Sequence, residues 1–187
     1  MAAGDRAALS GLIRLYGSGI QNFASRTLGN AADGEDIAQE VFLRAWKQAH
    51  RYDPAKAAVS TWLYRITVNL CIDQQRRQGL RRFLGVEAAE EDDLPPDPAP
   101  DAETRTDARQ RLALLTPALG ALPQRQRLAL LLRAVADLET NAIAAVLGSS
   151  PGAVEQLLVR ARATLRSDMR NTLQDEETGA KKGRPNR

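Results

Sequence analysis

The residues best suited to chemistry are the cations between residues 51 and 82, which have the aromatic residues Tyr52, Trp62 and Tyr64 among them. Cations along one edge of a helix can bind a row of phosphates, and exposed rings can stack on bases. The pattern predicts a surface for single-stranded nucleic acid, with a solvated basic face as the alternative. Tyr64 is the ring expected at the surface, since Trp46 and Trp62 suit a core. The polar residues of this surface are Arg65, Asn69, Arg76 and Arg77.

A second polar group is acidic and lies within residues 33–40. Carboxylates near the start of a helix are stabilised by its dipole, which is one explanation of the group. A docking surface for another protein is the other explanation. Asp36 and Glu40 are four positions apart and share a helix face, but the neighbouring sequence supplies no nucleophile or metal ligand to make them a catalytic pair.

Cysteine and histidine are too few for several classes of site. Cys71 and His50 are the single residues of their types, which excludes a disulfide framework and a zinc-finger cluster and disfavours a Cys–His or Ser–His relay. We therefore expect no metal, no cofactor and no enzymatic activity. The chain has no apolar run of membrane-spanning length and no visible secretory signal, so we expect a cytoplasmic protein without membrane insertion.

Charge and aromatic content divide the 187 residues into unlike parts. Residues 1–84 carry a net charge of +5 and contain all eight aromatic residues, residues 85–107 carry −8, and residues 108–175 carry +4. Four of the nine prolines lie within 86–101, so this acidic stretch predicts a flexible linker. We expect domains at 1–84 and 108–170, a linker at 85–107, and a disordered basic tail at 171–187.

Apolar spacing predicts helices in both domains and no strand, which is an all-α fold. In the first domain we expect four helices. One starts at Asp5 and ends at Gly17 and Gly19, a second covers 20–28, a third is capped by Asp33 or Gly34, and a fourth covers 59–77.

The second domain has the pattern of a helix-turn-helix. We expect helices at 107–119, at 123–135 and at 139–147, then a turn at 148–150 and a last helix that Pro151 opens. Two helices joined by such a short turn containing glycine place the second helix in the major groove of DNA, with its N-terminal residues first.

Two sets of motifs resemble the extracytoplasmic-function (ECF) sigma factors of bacterial RNA polymerase. The first set resembles sigma region 2 and comprises DGEDIAQEVFLRAW (33–46), YDP (52–54) and TWLYRI (61–66), followed by Asn69 and DQQRR (73–77). The second set resembles region 4 and comprises LPQRQR (122–127), LLLR (130–133), IAAVLG (143–148), Ala153-Val154 and RARATLR (160–166). The resemblance covers about residues 5–84 and 108–170, in the family's order.

The resemblance implies contacts with core RNA polymerase from both domains. Asp36, Gln39 and Glu40 match positions that dock on the clamp helices of the largest polymerase subunit. The leucine-rich helix of region 4, with Leu131 and Leu132, would meet the flap of the other large subunit. The acidic linker would thread toward the RNA exit path.

The resemblance also implies two surfaces for promoter DNA. Region 2 would capture a flipped base of the melted −10 strand, and region 4 would read the −35 element as duplex. The expected −10 residues are Lys56, Ser60, Thr61, Trp62, Tyr64, Arg65, Asn69, Arg76 and Arg77. The expected −35 residues are Ser150, Gly152, Ala153, Glu155, Gln156, Arg160 and Arg162.

The chain departs from the family pattern at two places. Glu155 and Leu157 stand where lysine and arginine are common, which predicts a changed −35 specificity because a carboxylate can accept from cytosine. Leu157 is also explained as a core residue. Asp137-Leu138-Glu139 replaces a more usual Gly-Leu-Ser, which leaves the start of the following helix open.

The leading hypothesis is an ECF sigma factor that starts transcription of a stress- or signal-responsive set of genes, is a monomer when free, and is controlled by an anti-sigma factor. A stand-alone helix-turn-helix regulator is the alternative, and it would bind a duplex operator without polymerase. An enzyme acting on nucleic acid is disfavoured because no metal or nucleophile constellation is visible.

Overall fold

The structure, a computed structural model, describes residues 6–84 and 117–182, with side chains up to residue 170 and residue 82 excepted. The described residues form helices and turns without a strand among them, which confirms the all-α class. The predicted linker at 85–107, most of the predicted helix at 107–119 and residues 183–187 lie outside the described residues.

The first lobe, residues 6–84, is built from three long helices. They are α1 (Arg6–Leu28), α2 (Ala31–Lys47) and α3 (Val59–Phe83), with a short 3₁₀ helix (Ala49–Arg51) after α2. The two helices expected before residue 28 are one, so the break expected at Gly17 and Gly19 was wrong. Gly19 instead gives room to another helix, because a Cβ there would lie 2.9 Å from the Tyr64 hydroxyl.

Asn30, and neither Asp33 nor Gly34, caps α2. Its side-chain oxygen accepts from the Asp33 backbone N–H at 2.8 Å, which satisfies one of the donors left open at a helix start. The Asp33 carboxylate is turned toward α3, where it accepts from the side-chain amides of Gln74 at 2.9 Å and Gln78 at 2.7 Å. Asp33 therefore fastens the start of α2 to α3.

Gly34 lies where α2 crosses α1 at close range. A Cβ on Gly34 would lie 1.9 Å from the Ser25 hydroxyl oxygen and 2.7 Å from the Ser25 backbone nitrogen. Only a residue without a side chain fits this crossing without displacing the backbone. Gly34, which the sequence offered as a possible cap of this helix, thus serves helix packing.

The second lobe, residues 117–182, contains the expected helix-turn-helix. A helical segment at 117–121 precedes α4 (Gln124–Ala134), α5 (Thr140–Leu147) and α6 (Pro151–Lys182). Gly148 ends α5 in the left-handed region, with φ 57° and ψ 49°, and the Ser150 hydroxyl accepts from the Ala153 N–H at 3.2 Å at the start of α6. The two helices are inclined at 99°.

Two details of this lobe differ from expectation. The helix α6 continues to Lys182, whereas a disordered tail was expected from residue 171. Asp137 has a φ of 49°, a region that favours glycine, and this explains why glycine is the more usual residue at that place. Glu139 begins α5 without a side-chain cap bond and instead pairs with Arg133 at 2.9 Å.

The two lobes pack on each other through one continuous apolar cluster. In the first lobe the cluster includes Phe23 and Leu63, and in the second it includes Leu132, Ile143 and Val154, all fully buried or nearly so. Helix α5 lies against α3, and α4 lies against α1. The separate domains expected from charge and aromatic content therefore share a core in this structure.

In the part of the chain that the structure describes, no single helix is both long and apolar enough to cross a membrane. The helices Thr140–Leu147 and Pro151–Arg170 reach that length and apolar content only when they are taken together across the sharp bend between them.

Candidate functional site

The exposed face of α2 carries the acidic group. Asp36 and Gln39 are exposed, and Glu40 is half-buried with its carboxylate 2.6 Å from Nε of Arg44. Leu43 continues this face one turn further, and it leaves 46 % of its surface exposed. Carboxylates around an accessible leucine are typical of a protein-docking surface, with an apolar centre and a polar rim.

No motif predicted a role for Leu43, although its spacing in the sequence carries a usable signal. Residues 36, 40 and 43 recur at the spacing of one helix face. Leu43 directly follows Val41 and Phe42 but lies outside the apolar stripe to which these two residues belong. Both neighbours are buried, as expected.

A groove of about 360 Å³ runs between α2 and α3 beside the acidic face. Arg77, which was grouped with the −10 residues, lines this groove together with Asp36 and Glu40. Asp73 contributes a further carboxylate from α3. The geometry thus associates Arg77 with the acidic face. The remaining lining residues are Asp33, Ile37, Arg44, Leu70 and Gln74.

A different face of α3 brings Arg65, Asn69 and Arg76 together. Their separations of four and seven residues return to one side of a helix, and all three are exposed. This face borders the groove at Asp73, which lies four residues after Asn69 and three before Arg76. It forms the basic row that the sequence pattern predicted, without Arg77.

The loop before α3 is held by its own hydrogen bonds. The Tyr52 hydroxyl donates to the Ala57 carbonyl at 3.1 Å, and the Asp53 carboxylate accepts from the Ala55 N–H at 3.0 Å. Lys56 is exposed and lies 3.5 Å from the second Asp53 oxygen. At the end of the loop Ser60 is half-buried and Thr61 is buried.

Trp62 packs against the core cluster, as expected, but Tyr64 is buried where a surface position was expected. Trp62 is half-buried beside this loop, and its ring centroid lies 5.1 Å from that of Tyr52 at an angle of 37°. Tyr64 is only 4 % exposed and meets the Phe23 ring edge-on at 5.6 Å. The expectation of Tyr64 as a surface contact was wrong. Tyr64 lies two positions after Trp62, a turn of about 200° around the helix, so when Trp62 faces the loop, Tyr64 faces the core.

Burial also controls the titration of Tyr64. Loss of solvent around its hydroxyl, assisted by Tyr16, raises the Tyr64 pKa to about 12. The neutral phenol is therefore part of the core at all ordinary pH values.

The start of α6 presents an accessible polar surface. Ser150, Gly152, Ala153, Glu155, Gln156, Arg160 and Arg162 are all exposed. Val154, Leu158 and Ala161 are buried on the opposite side, and Leu157 is half-buried against the core. The helix thus turns its first exposed turns outward, as reading of the major groove requires.

The expected polymerase contacts in α4 do not reach the surface. Leu131 is 3 % exposed and Leu132 is fully buried. Both belong to the cluster that joins the two lobes, so in this arrangement they cannot touch another protein. The apolar stripe of an amphipathic helix supplies core residues first, and this corrects their assignment.

Cys71 is buried in α3, and its burial predicts a low reactivity of the thiol. Burial, and to a lesser degree the negative charge of Asp33, raises its pKa to about 12. Because only the thiolate reacts, we expect the folded protein at pH 8 to react with a disulfide reagent about 1,000-fold slower than the urea-unfolded chain. The rate of reaction with the disulfide reagent, followed by absorbance with and without urea, tests this. Equal rates would contradict it.

Within residues 6–84 and 117–170, no three histidine, cysteine, aspartate or glutamate side chains are placed to hold a metal ion.

Two family models match the chain. Residues 12–81 match the model "Sigma-70 region 2", and residues 112–165 match "Sigma-70, region 4". The match to region 2 covers most of the first lobe, including the acidic face of α2 and the exposed face of α3. The match to region 4 covers the helix-turn-helix.

Relatives with known names share these features along most of the chain. "ECF RNA polymerase sigma factor SigE" of Mycolicibacterium smegmatis is 36 % identical over 169 residues, which are 88 % of this chain and 64 % of that protein. The chain thus spans somewhat less than two thirds of that relative. "ECF RNA polymerase sigma factor RpoE" of Cereibacter sphaeroides is 33 % identical, with 88 % of both chains covered.

Two solved structures have the same fold. The structure of CnrH in complex with the cytosolic domain of CnrY matches with a TM-score of 0.67 and 28 % identity, and covers 91 % of this chain and 92 % of CnrH. The complex of the sigma factor RpoE with the anti-sigma factor NepR from Bartonella quintana matches with a TM-score of 0.70. At 20 % identity over 86 % of this chain and 96 % of that one, the second match concerns the fold alone.

Proposed function

Because this chain belongs to the family of ECF RNA polymerase sigma factors, we propose that it binds core RNA polymerase and directs it to promoters by contacts with both the −35 and −10 elements. It acts as an initiation factor and leaves all catalysis to the polymerase. The domain boundaries proposed for these tasks remain 1–84 and 108–170.

The observation that carries this proposal is the presence of two unlike exposed surfaces on one chain, each suited to a different form of DNA. The first turns of α6 offer short polar side chains and arginines on a rigid helix, which suits duplex. Tyr52 in the loop before α3 and Trp62 in the first turn of α3 lie near the exposed Lys56, which suits an unstacked strand. A factor that reads closed DNA at one element and open DNA at another needs both.

Polymerase docking is assigned to the acidic face of α2, with Asp36, Gln39 and Glu40 as its polar residues and Leu43 as its apolar centre. The face is accessible, and a carboxylate surface complements a basic one on a partner. Leu131 and Leu132 contact polymerase only if the shared core of the two lobes opens.

An anti-sigma factor is proposed as the negative regulator. CnrH was solved with the cytosolic domain of CnrY, and RpoE of Bartonella quintana was solved with the anti-sigma factor NepR. The free chain is proposed to be a monomer in the cytoplasm. A similar partner would inhibit it there by covering the surfaces that polymerase needs. Affinity purification of the tagged chain from its host, in the uninduced state, tests for this partner.

Transcription with purified components tests the main proposal. Sequencing of RNA 5′ ends after overexpression identifies the promoters, and run-off transcription on one of them follows. We expect a specific transcript only when the chain and core polymerase are both present. Tight binding of the promoter duplex by the chain alone, without any effect on core polymerase, would instead support a stand-alone regulator.

Trp62 is expected to contribute to −10 binding through its ring. Trp62→Ala should weaken binding of the non-template −10 strand by about 1–3 kcal/mol, the usual value of one aromatic–base stack. Fluorescence anisotropy with a labelled oligonucleotide measures the change. Tyr64→Phe is the matched control, because Tyr64 is buried and keeps its ring. Equal losses in both variants would argue against a contact by Trp62.

Glu155 is expected to determine one base pair of the −35 element. Glu155→Gln removes the charge and keeps the shape, so discrimination at the contacted base pair should fall by about 1–3 kcal/mol, and phosphate repulsion should decrease. Competition binding with −35 duplexes changed at one position measures it. Val159→Ala, an exposed change on the same helix, is the control. An unaltered ranking of duplexes would exclude this role.

A further inference from the structure

We propose that Arg65 latches the second lobe onto the −10 surface of the first, so that the free protein reads the −35 duplex at full affinity but binds the melted −10 strand only when the lobes separate. This inference rests on the proposed function of α3. It adds a regulatory state that is built into the chain itself.

The latch is a hydrogen bond between residues 80 positions apart. Nη2 of Arg65, on the exposed face of α3, donates to the backbone carbonyl oxygen of Ala145 in α5. Arg65 is one of the cations assigned to the −10 strand. In this structure its guanidinium is engaged by the helix-turn-helix of the other lobe.

The end of α5 has a chemical need for such a partner. The last carbonyl groups of a helix have no N–H donor within the same helix, and they lie at the negative end of its dipole. Helix α5 has no basic residue in its last turn. Two arginines from outside supply the missing donors, because Arg125 donates to the Leu147 carbonyl at 3.2 Å and Arg65 donates to Ala145.

A second polar contact holds the lobes in the same arrangement. The side-chain amide of Gln124, the first residue of α4, donates to Oε1 of Gln75 at 2.7 Å. Gln75 in turn donates to the Thr27 carbonyl at 2.9 Å, at the end of α1. Together with the shared apolar cluster, these bonds fix the second lobe against α3.

The packed arrangement affects the two DNA surfaces differently. Helix α5 packs against α3 and engages the Arg65 guanidinium, so a strand that binds this guanidinium competes with α5. The first turns of α6 remain exposed. A strand must therefore displace α5, and the fraction of closed molecules lowers the apparent affinity for it. The affinity for −35 duplex carries no such penalty.

A covalent bridge between the lobes tests the inference. In the variant Gln75→Cys/Gln124→Cys, the two thiols lie where a hydrogen bond now joins the lobes, while buried Cys71 is protected. A short bis-maleimide with a disulfide in its spacer then closes the bridge reversibly. The probes are a labelled −10 non-template oligonucleotide and a −35 duplex from a promoter mapped as above.

We expect the bridge to form in the free protein and to weaken binding of the −10 oligonucleotide by about tenfold or more, with recovery when the spacer is reduced. Binding of the −35 duplex should be unchanged. Equal −10 binding before and after reduction would overturn the latch, as would failure of the free protein to bridge. If the reduced protein also starts no transcription with core polymerase, the proposed function itself has failed, and the latch falls with it.

A second variant isolates Arg65. Arg65→Ala should slow the bridging reaction about several-fold, because the lobes separate more often when a charged hydrogen bond is lost. Arg51→Ala removes an exposed cation of the same lobe, for which no hydrogen bond to the second lobe is present among the described residues, and should leave the rate unchanged. A bridging rate that is equal in both variants would contradict a role of Arg65 in closure.

Discussion

Asp36→Lys is expected to weaken binding of core RNA polymerase by about 30-fold or more and to abolish run-off transcription at limiting concentrations. The carboxylate is exposed on the acidic face of α2 and has no ion pair in the described ranges. Reversal of its charge replaces an attraction to a basic partner by a repulsion, which costs more than truncation does. Fluorescence titration of labelled core polymerase measures the dissociation constant.

Glu35→Lys is the matched control for this prediction. It makes the same change of net charge on the neighbouring residue, which is also exposed but lies about 100° around the helix. Long-range electrostatic effects are therefore equal in the two variants. Equal affinities of the two variants for polymerase would show that α2 contributes only general charge, and the proposed docking face would be wrong.

Gly34→Ala is expected to destabilise the protein by about 3 kcal/mol. The added Cβ would meet both the hydroxyl and the backbone of Ser25, and overpacking of this kind typically costs about 1–3 kcal/mol, or more where backbone must move. Alanine favours a helix over glycine by about 1 kcal/mol, which offsets only part of the cost. Urea unfolding followed by circular dichroism gives the free energy of unfolding.

Gly11→Ala provides the opposite case in the same bundle. It lies inside α1, and a Cβ there would meet no atom within 4 Å. We expect a gain of about 0.5–1 kcal/mol from helix propensity alone. Ser25→Gly should rescue Gly34→Ala only in part, because the Ser25 backbone nitrogen and Cα would remain at 2.7 and 2.9 Å. Stability of Gly34→Ala equal to that of the parent would contradict the close crossing of α1 and α2.

The helices themselves were predictable because they depend on local patterns. Apolar spacing located both ends of α4 and α5 and the start of α3 to within one residue, whereas α3 continues beyond its expected end at residue 77. Gly148 and Pro151 marked the turn between α5 and α6. The errors arose at glycines. Gly19 and Gly34 have the low helix propensity of a boundary residue, but each lies inside a helix where a neighbouring helix leaves no room for a side chain.

The surfaces were predictable only in part. Exposure of Arg65, Asn69 and Arg76 followed from their spacing, and so did the exposed start of α6. The positions of Trp62, Tyr64 and Arg77 did not follow from spacing, because they depend on which side of α3 faces α1 and α2. The burial of Leu131 and Leu132 likewise depends on where the second lobe sits.

The amino-acid sequence by itself determined the helical class, the cations and rings of α3, the carboxylates of α2, the helix-turn-helix and the family. These are properties of residue types and of short spacings, and they do not depend on distant parts of the chain. The tertiary structure alone decided which ring is buried and what Arg65 binds. Those outcomes depend on contacts between residues far apart in sequence, such as Arg65 and Ala145, whose energies arise only when the helices meet.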